Sequence, residues 1–217
     1  MNIHLVLGGV LSPNFELNMY SSEDQLIGVD RGAFRLISAG YSIDLAIGDF
    51  DSVCKEELQL IQSRSKEVKI FPSEKDDTDT ELALSWVIEN YPELHNIYMY
   101  GWNGGRVDHF LSVMYLAYQP KFKNYIQKIR WVDDHNIGQF YLPGNHMLHF
   151  DKRFTYFSII TLTPVRALTI SGAKYNLKAT DLDYPRAFIS NEFVSRNCNI
   201  SFDEGTILVL QTRDGVH

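Results

Sequence analysis

The chain predicts two domains of different class, an amino-terminal α/β domain on a mainly parallel sheet and a carboxyl-terminal all-β sandwich. Three observations predict this. In the first part, short apolar runs alternate with segments of helical spacing, the pattern of a parallel sheet covered by helices. Each of those runs ends in glycine, an acid or proline, the residues at which a strand turns away. After about Trp131 the helical spacing stops, and short alternating segments separated by turn residues take over, as in antiparallel sandwiches. The boundary falls between about residues 120 and 136, which divides the chain into domains 1–128 and 129–217.

In chain order, Ile3-His4-Leu5-Val6-Leu7 predicts a first strand ending in Gly8-Gly9, and Leu26-Ile27-Gly28-Val29 a second ending in Asp30-Arg31-Gly32. Leu45-Ala46-Ile47, Val68-Lys69-Ile70-Phe71 and Ile97-Tyr98-Met99-Tyr100 predict three more. Helical spacing runs from Ala33 to Ala39, Lys55 to Ser63, Thr78 to Asn90 and Val107 to Tyr118. The third is the best marked, because Thr78 followed by Glu81 makes a capping-box pair at its start. In the second part, Gly138 to Leu142 and His146 to Phe150 flank Pro143-Gly144-Asn145 and predict a hairpin. Tyr156 to Leu162, Ala167 to Ile170, Phe193 to Ile200 and Thr206 to Leu210 predict further strands.

Composition narrows the function classes. With 45% apolar and 22% charged residues, the 217-residue chain is of ordinary globular make-up. A net charge of −7 disfavours a general nucleic-acid binder, which presents a basic surface to phosphate. No apolar run approaches the roughly 20 residues that cross a bilayer, and Met1-Asn2-Ile3-His4 lacks a basic signal start, so a cytoplasmic protein is expected. Cys54 and Cys198 stand far apart, outside any metal-ligand spacing, and are expected to be plain thiols.

The strongest chemical signal is two acidic runs, Gly48-Asp49-Phe50-Asp51-Ser52 and Lys75-Asp76-Asp77-Thr78-Asp79, each following a predicted strand. In a parallel sheet, ligands bind beyond the carboxyl ends of the strands. An extended backbone through Asp49-Phe50-Asp51 would send both acids to one face and Phe50 to the other. Carboxylates that close ionise together only if a cation such as Mg2+, or a cationic substrate, neutralises them. A solvated acidic turn is the competing reading of a single run; two runs at one sheet edge favour a site.

A third cluster, Gly101-Trp102-Asn103-Gly104-Gly105-Arg106-Val107-Asp108-His109, follows a predicted strand and opens the last helix of the first domain. Its glycines allow close backbone approach, the helix start offers free N–H donors, and Arg106 adds a planar cation suited to phosphate. Asp108 is open to three roles: orienting Arg106, holding metal, or accepting a proton. A tight turn with a local Arg106–Asp108 ion pair explains the same residues structurally. Asp30 is open to nucleotide binding or to capping the next helix. Lys75 beside Asp76 reads as a phosphate contact or a surface pair. Ser190-Asn191 reads as a turn or as polar recognition of a small heteroaromatic ligand. No Gly-rich loop ending in Gly-Lys-Ser/Thr is present, so a nucleotide would be held by metal and scattered donors.

Taken in order, VDRGA (Val29 to Ala33), IGDFDS (Ile47 to Ser52), KDDTDTELAL (Lys75 to Leu84), GGRVDH (Gly104 to His109) and ISNE (Ile189 to Glu192) resemble the thiamine pyrophosphokinase family. The resemblance implies ATP and thiamine as substrates, Mg2+ as cofactor, and a homodimer with thiamine near the subunit interface. It implies that Asp49, Asp51 and Asp79 organise metal and ATP phosphates, with Asp76 close by, and that Arg106 and Asp108 complete the phosphate and hydroxyl end. Ser190 and Asn191 would help receive thiamine. Arg31 departs from the glycine frequent in the family at that position. Rival readings are another Mg2+-dependent phosphotransferase or phosphohydrolase, and a non-catalytic thiamine-binding module.

Overall fold

The computed structural model describes all residues except Pro13, Asn14, Asn18, Lys75, Gly104, Val216 and His217. The chain divides into two compact units, Met1–Asp133 and Asp134–His217.

In the first unit, strands β1 (Ile3–Val6), β2 (Gln25–Val29), β3 (Ile43–Gly48), β4 (Ser65–Ile70), β5 (Ile97–Tyr100) and β6 (Ile129–Val132) form a parallel sheet in the order β4-β3-β2-β1-β5-β6. Helices α1 (Arg31–Ser38), α2 (Lys55–Arg64), α3 (Asp79–Asn90) and α4 (Val107–Tyr115) follow β2 to β5 in turn. Strands covered on both faces are buried along their length and mostly apolar, and β1 is buried at all four positions, His4 being its one polar residue. The order reverses at β1, where the chain builds outward first through β2, β3 and β4 and then returns through β5. The carboxyl ends of β1 and β5 are therefore the topological switch point, the place where such sheets bind ligands.

Capping fixes where α3 starts. Thr78 Oγ1 accepts the Glu81 N–H at 3.2 Å and Glu81 Oε2 accepts the Thr78 N–H at 2.7 Å, the reciprocal pair expected from sequence. Gly32 lets α1 begin against β1, since a Cβ there would lie 2.0 Å from the Val6 carbonyl oxygen. Helix α4 ends at Tyr115 and tightens into a 3-10 turn over Leu116–Tyr118, three residues short of the expected α-helix.

The first unit also buries a polar cluster away from the switch point. His4 on β1 is fully buried and stacks on Tyr98 and Tyr100, with its Nδ1 3.1 Å from the Tyr100 hydroxyl. Its Nε2 lies 3.5 Å from Asp24, a carboxylate that accepts the Asn2 N–H at 2.6 Å and the Ser21 hydroxyl at 3.0 Å.

The second unit is a sandwich of two antiparallel sheets. One has the order β12 (Ala187–Asn191), β9 (Tyr156–Thr161), β14 (Ile207–Thr212), β7 (Asn136–Tyr141). The other has β11 (Leu177–Leu182), β10 (Val165–Ser171), β13 (Asn197–Phe202), β8 (Gly144–His149). Alternate residues of both sheets face inward: Phe157 and Ile159 of β9 and Ile207 and Val209 of β14 join Cys198, Ile200 and Phe202 of β13 in one core. Burial pushes the Cys198 thiol up to about 11, so it packs as a small apolar residue.

Two sequence expectations are corrected by the strand pairing, and strand β11 has no counterpart among them. Residues Gly138 to Phe150 do not form a paired hairpin: β7 pairs with β14 and β8 with β13, so the Pro143-Gly144 turn carries the chain from one sheet to the other. A local turn signal reports a reversal, not which strand will be the partner. The expected strand from Phe193 to Ile200 begins only at Asn197, because β12 ends at Asn191 and a turn intervenes. Strand β11 escaped notice, since its exposed Lys178, Ala179 and Asp181 show little alternation. Among the described residues, no helix is long and apolar enough to cross a membrane.

Candidate active site

A cavity of ≈ 450 Å³ lies in the first unit at the switch point. Its wall includes Gly8 and Gly9 after β1, Asp30 and Arg31 after β2, Thr78 and Asp79 at the start of α3, and Trp102 and Arg106 after β5. The amino ends of α1, α3 and α4 thus open onto one space, turning the positive ends of three helix dipoles toward any anion there. Gly9 admits the β5–α4 loop to this space, since a Cβ on it would fall 2.1 Å from the Gly101 carbonyl oxygen. Trp102 anchors that loop, donating its indole N–H to the Val132 carbonyl at 3.3 Å and stacking on Trp131.

Against this cavity stands a group of carboxylates. Oxygens of Asp30, Asp49 and Asp51 lie within 4.8 Å of one another. Asp49 and Asp51 do not reach one side by extended alternation, as the sequence suggested. Phe50 adopts the left-handed region at φ 58 and is buried, and the Asp51 N–H donates to Asp49 Oδ1 at 3.1 Å. The acids meet through a tight Asx turn, and burial of Phe50 holds the strained backbone in place.

Asp30 links the group to the cavity. It does not cap α1 by its side chain. Its Oδ2 accepts the Ser52 hydroxyl at 2.6 Å, while Oδ1 is buried with no hydrogen-bond partner among the described residues. Burial raises its pKa, opposed by hydrogen bonds from the Ser52 hydroxyl and the Arg31 backbone N–H and reinforced by the charges of Asp79 and Asp49. A buried carboxylate oxygen left without a donor is unfavourable, and a hard cation would supply what it lacks. The donor set is wholly carboxylate oxygen, which fits Mg2+ and not the nitrogen and sulfur ligands preferred by zinc.

The sequence reading grouped Asp79 with Asp49 and Asp51. Asp30 is the acid that joins that close group; Asp79 lines the same cavity at the first position of α3. Asp76 is exposed, and Asp77 forms an ion pair with Lys121 at 2.8 Å. Lys75 lies outside the described residues, as does Gly104 of the third cluster. Arg106 and Asp108 are both exposed and pair closely, Nη2 to Oδ2 at 2.6 Å and Nε to Oδ1 at 3.1 Å. The Arg106 hydrogen bond holds the Asp108 carboxyl below its ordinary value, which weakens Asp108 as a proton acceptor while the pair persists. Ser52, Trp102 and Asn103 line the cavity but were not singled out from sequence, although all three fall inside clusters that were.

In the second unit, Ser190 is exposed and adopts φ 58, and its N–H donates to the Ser158 hydroxyl at 3.2 Å. Asn191 is buried, with its amide committed to the fold: Oδ1 accepts the N–H groups of Tyr175 and Glu192, and Nδ2 donates to the Tyr175 carbonyl at 2.8 Å.

Residues 17–129 match the model of the thiamin pyrophosphokinase catalytic domain, and residues 145–207 match that of the thiamin pyrophosphokinase vitamin B1 binding domain. The chain is 34% identical over 215 residues to thiamine pyrophosphokinase of Bacillus subtilis (strain 168), covering 98% of this chain and 99% of that one. The crystal structure of a thiamin pyrophosphokinase family protein from Enterococcus faecalis superposes with a TM-score of 0.92 at 36% identity, covering 99% of this chain and 100% of that one. The crystal structure of the Bacillus subtilis thiamine pyrophosphokinase superposes with a TM-score of 0.87 at 31% identity, over 99% and 100% of the two chains. With both domain models matched in order and relatives aligned from end to end, the chain belongs to the thiamin pyrophosphokinase family and is a transferase.

Proposed function

We propose that this chain transfers a pyrophosphoryl group from ATP to the hydroxyl of thiamine, with Mg2+ held by Asp30, Asp49 and Asp51. The observation that carries this reading is the convergence of those three carboxylates beside a cavity lined by Asp79, Arg106 and three helix amino ends. Phosphoryl-type transfer asks a protein mainly for positioning and for neutralisation of phosphate oxygens. Bound Mg2+ would supply the neutralisation that the acids themselves oppose. Helix N–H groups and Arg106 receive the remaining phosphate charge, and Arg106 exchanges its Asp108 partner for a phosphate oxygen as the site fills. The thiamine hydroxyl oxygen then bonds to the β-phosphorus, the bond from that phosphorus to the α,β-bridging oxygen breaks, AMP departs, and the hydroxyl proton passes to a base. Asp108, once released by Arg106, is a candidate for that base.

The second unit, which matches the vitamin B1 binding domain, is the one that binds thiamine. Asn191 holds the Tyr175 backbone in place and the adjacent Ser190 is exposed, so the pair divides into a support and a contact. Exposed Met147, Phe150, Ile189 and Val194 give this unit apolar surface that a homodimer would cover, which supports thiamine binding near a subunit interface. A requirement for ATP and Mg2+ supports a cytoplasmic location.

Incubation with ATP, Mg2+ and thiamine tests the reading. Thiamine diphosphate and AMP in equal amounts, lost on chelation of the metal, is the expected result. ADP or inorganic phosphate as the sole product would favour another phosphotransferase or a phosphohydrolase, and tight thiamine binding without product a binding module.

A further inference from the structure

Ser52 is gripped from two sides by consecutive residues. Its hydroxyl donates to Asp30 at 2.6 Å, and its carbonyl accepts Arg31 Nη1 at 2.6 Å. The same guanidinium reaches Glu57 with both terminal nitrogens, Nη1 to Oε2 and Nη2 to Oε1, each at 3.4 Å, and lies 5.7 Å from the Phe34 ring centre. Glu57 in turn accepts the Cys54 N–H at 2.9 Å, which closes the first turn of α2. One arginine therefore ties the start of α1 to both the acid loop and the helix after it. Asp49, the strained Phe50 and Asp51 immediately precede the first of these ties, at Ser52.

We infer that Arg31 is a positioning residue for the metal site: by fixing Ser52 and Glu57 it sets the conformation of residues 49–52, and so the spacing of Asp49 and Asp51 from Asp30. The chemistry suits the task. A planar guanidinium can accept this geometry because its donors point in fixed directions to a carbonyl and a carboxylate at once, which an ammonium cannot reproduce. The Arg31 side chain is 39% exposed and that of Glu57 19%, so the pair adds little to overall stability and its effect is local. Without it, three mutually repelling carboxylates would lose the tie that holds two of them on a strained turn. Groups that orient metal ligands typically change metal affinity 10- to 100-fold when removed.

This inference rests on the Mg2+ reading above, and two measurements separate them. The first needs no metal: amide hydrogen exchange at Asp51 and Val53 in Arg31→Ala, where exchange about tenfold faster than wild type is expected and an unchanged rate overturns the latch. The second is the Mg2+ dependence of turnover and of the melting temperature. Arg31→Ala should raise the half-saturating Mg2+ concentration about tenfold and leave kcat at saturating metal within about threefold of wild type. Arg31→Lys should recover part of the affinity and Glu57→Gln lose part of it, and these two milder variants decide the matter if Arg31→Ala fails to fold. An unchanged Mg2+ midpoint in folded variants, or a rise in KM for ATP alone, would overturn the positioning role. A wild-type protein that makes no product counts against the reaction, while the exchange rates still judge the latch.

Discussion

The Ser52 hydroxyl sits 2.6 Å from Asp30 Oδ2, and Oδ1 is buried without a hydrogen-bond partner among the described residues. One oxygen of this carboxylate is thus occupied by the fold, and the other is open to a bound cation. Replacing Asp30 by Asn should nearly abolish turnover and remove the Mg2+-dependent rise in melting temperature. The metal-free variant should melt at or above the wild-type temperature, because repulsion from Asp49 and Asp79 is gone. Retention of the Mg2+-dependent rise would exclude Asp30 as a ligand.

Arg106 and Asp108 test the separation of function from stability. Their side chains are 71% and 63% exposed, and exposed ion pairs contribute little to folding. Arg106→Ala should leave the melting temperature unchanged while lowering kcat/KM for ATP by at least about 100-fold, the scale of losing one preorganised charge-stabilising donor. A matching fall in stability, seen by thermal melting, would mean that the pair is structural.

Much of this site was legible because its chemistry is concentrated in short runs at strand ends. Five strands of the first unit, the Thr78–Glu81 cap and the acid-rich edge follow from local spacing alone. What local spacing cannot carry is which chain segments become neighbours. Asp30 joins Asp49 and Asp51 only because β2 and β3 pair in register, with Val29 opposite Ile47. The Phe50 turn was misread as extended because a buried aromatic between acids fits either geometry. In the second unit the same gap explains the false hairpin, since pairing of β7 with β14 spans some seventy residues and leaves no mark at the turn.

Ser190 and Asn191 are adjacent but predicted to respond differently. Asn191→Ala removes three hydrogen bonds to backbone groups of Tyr175 and Glu192, and buried donors or acceptors left unpaired cost about 1–3 kcal/mol each. It should destabilise the second unit by about 2 kcal/mol or more and raise KM for thiamine only as a consequence. Ser190→Ala should leave stability within about 0.5 kcal/mol and still raise KM for thiamine. Equal effects of the two on denaturant midpoint would contradict this division.

His4 gives the first unit a pH dependence independent of the active site. Burial lowers its pKa below the ordinary 6.5, outweighing the nearby Asp24 charge, which acts to raise it. For Asp24, burial acts upward, but the Asn2 and Ser21 donors bring it net below its ordinary 3.8, so it stays ionised through the neutral range. The folded protein thus holds His4 neutral where the unfolded chain begins to protonate it. By linkage, the unfolded state binds more protons below about pH 6.5, and the stabilisation is complete above that pH and is lost as pH falls toward the depressed folded value. The slope cannot exceed about 1.4 kcal/mol per pH unit for one group. Melting temperature measured between pH 7.5 and pH 5, the range about an imidazole's ordinary value, should fall in wild type, and the fall should be markedly smaller in His4→Phe, which keeps a ring against Tyr98 and Tyr100 but cannot take a proton. His4→Phe will be less stable at neutral pH, because the Tyr100 hydroxyl loses its imidazole contact, so the slope and not the absolute value is the test. Parallel slopes in the two proteins would assign the acid sensitivity to other groups.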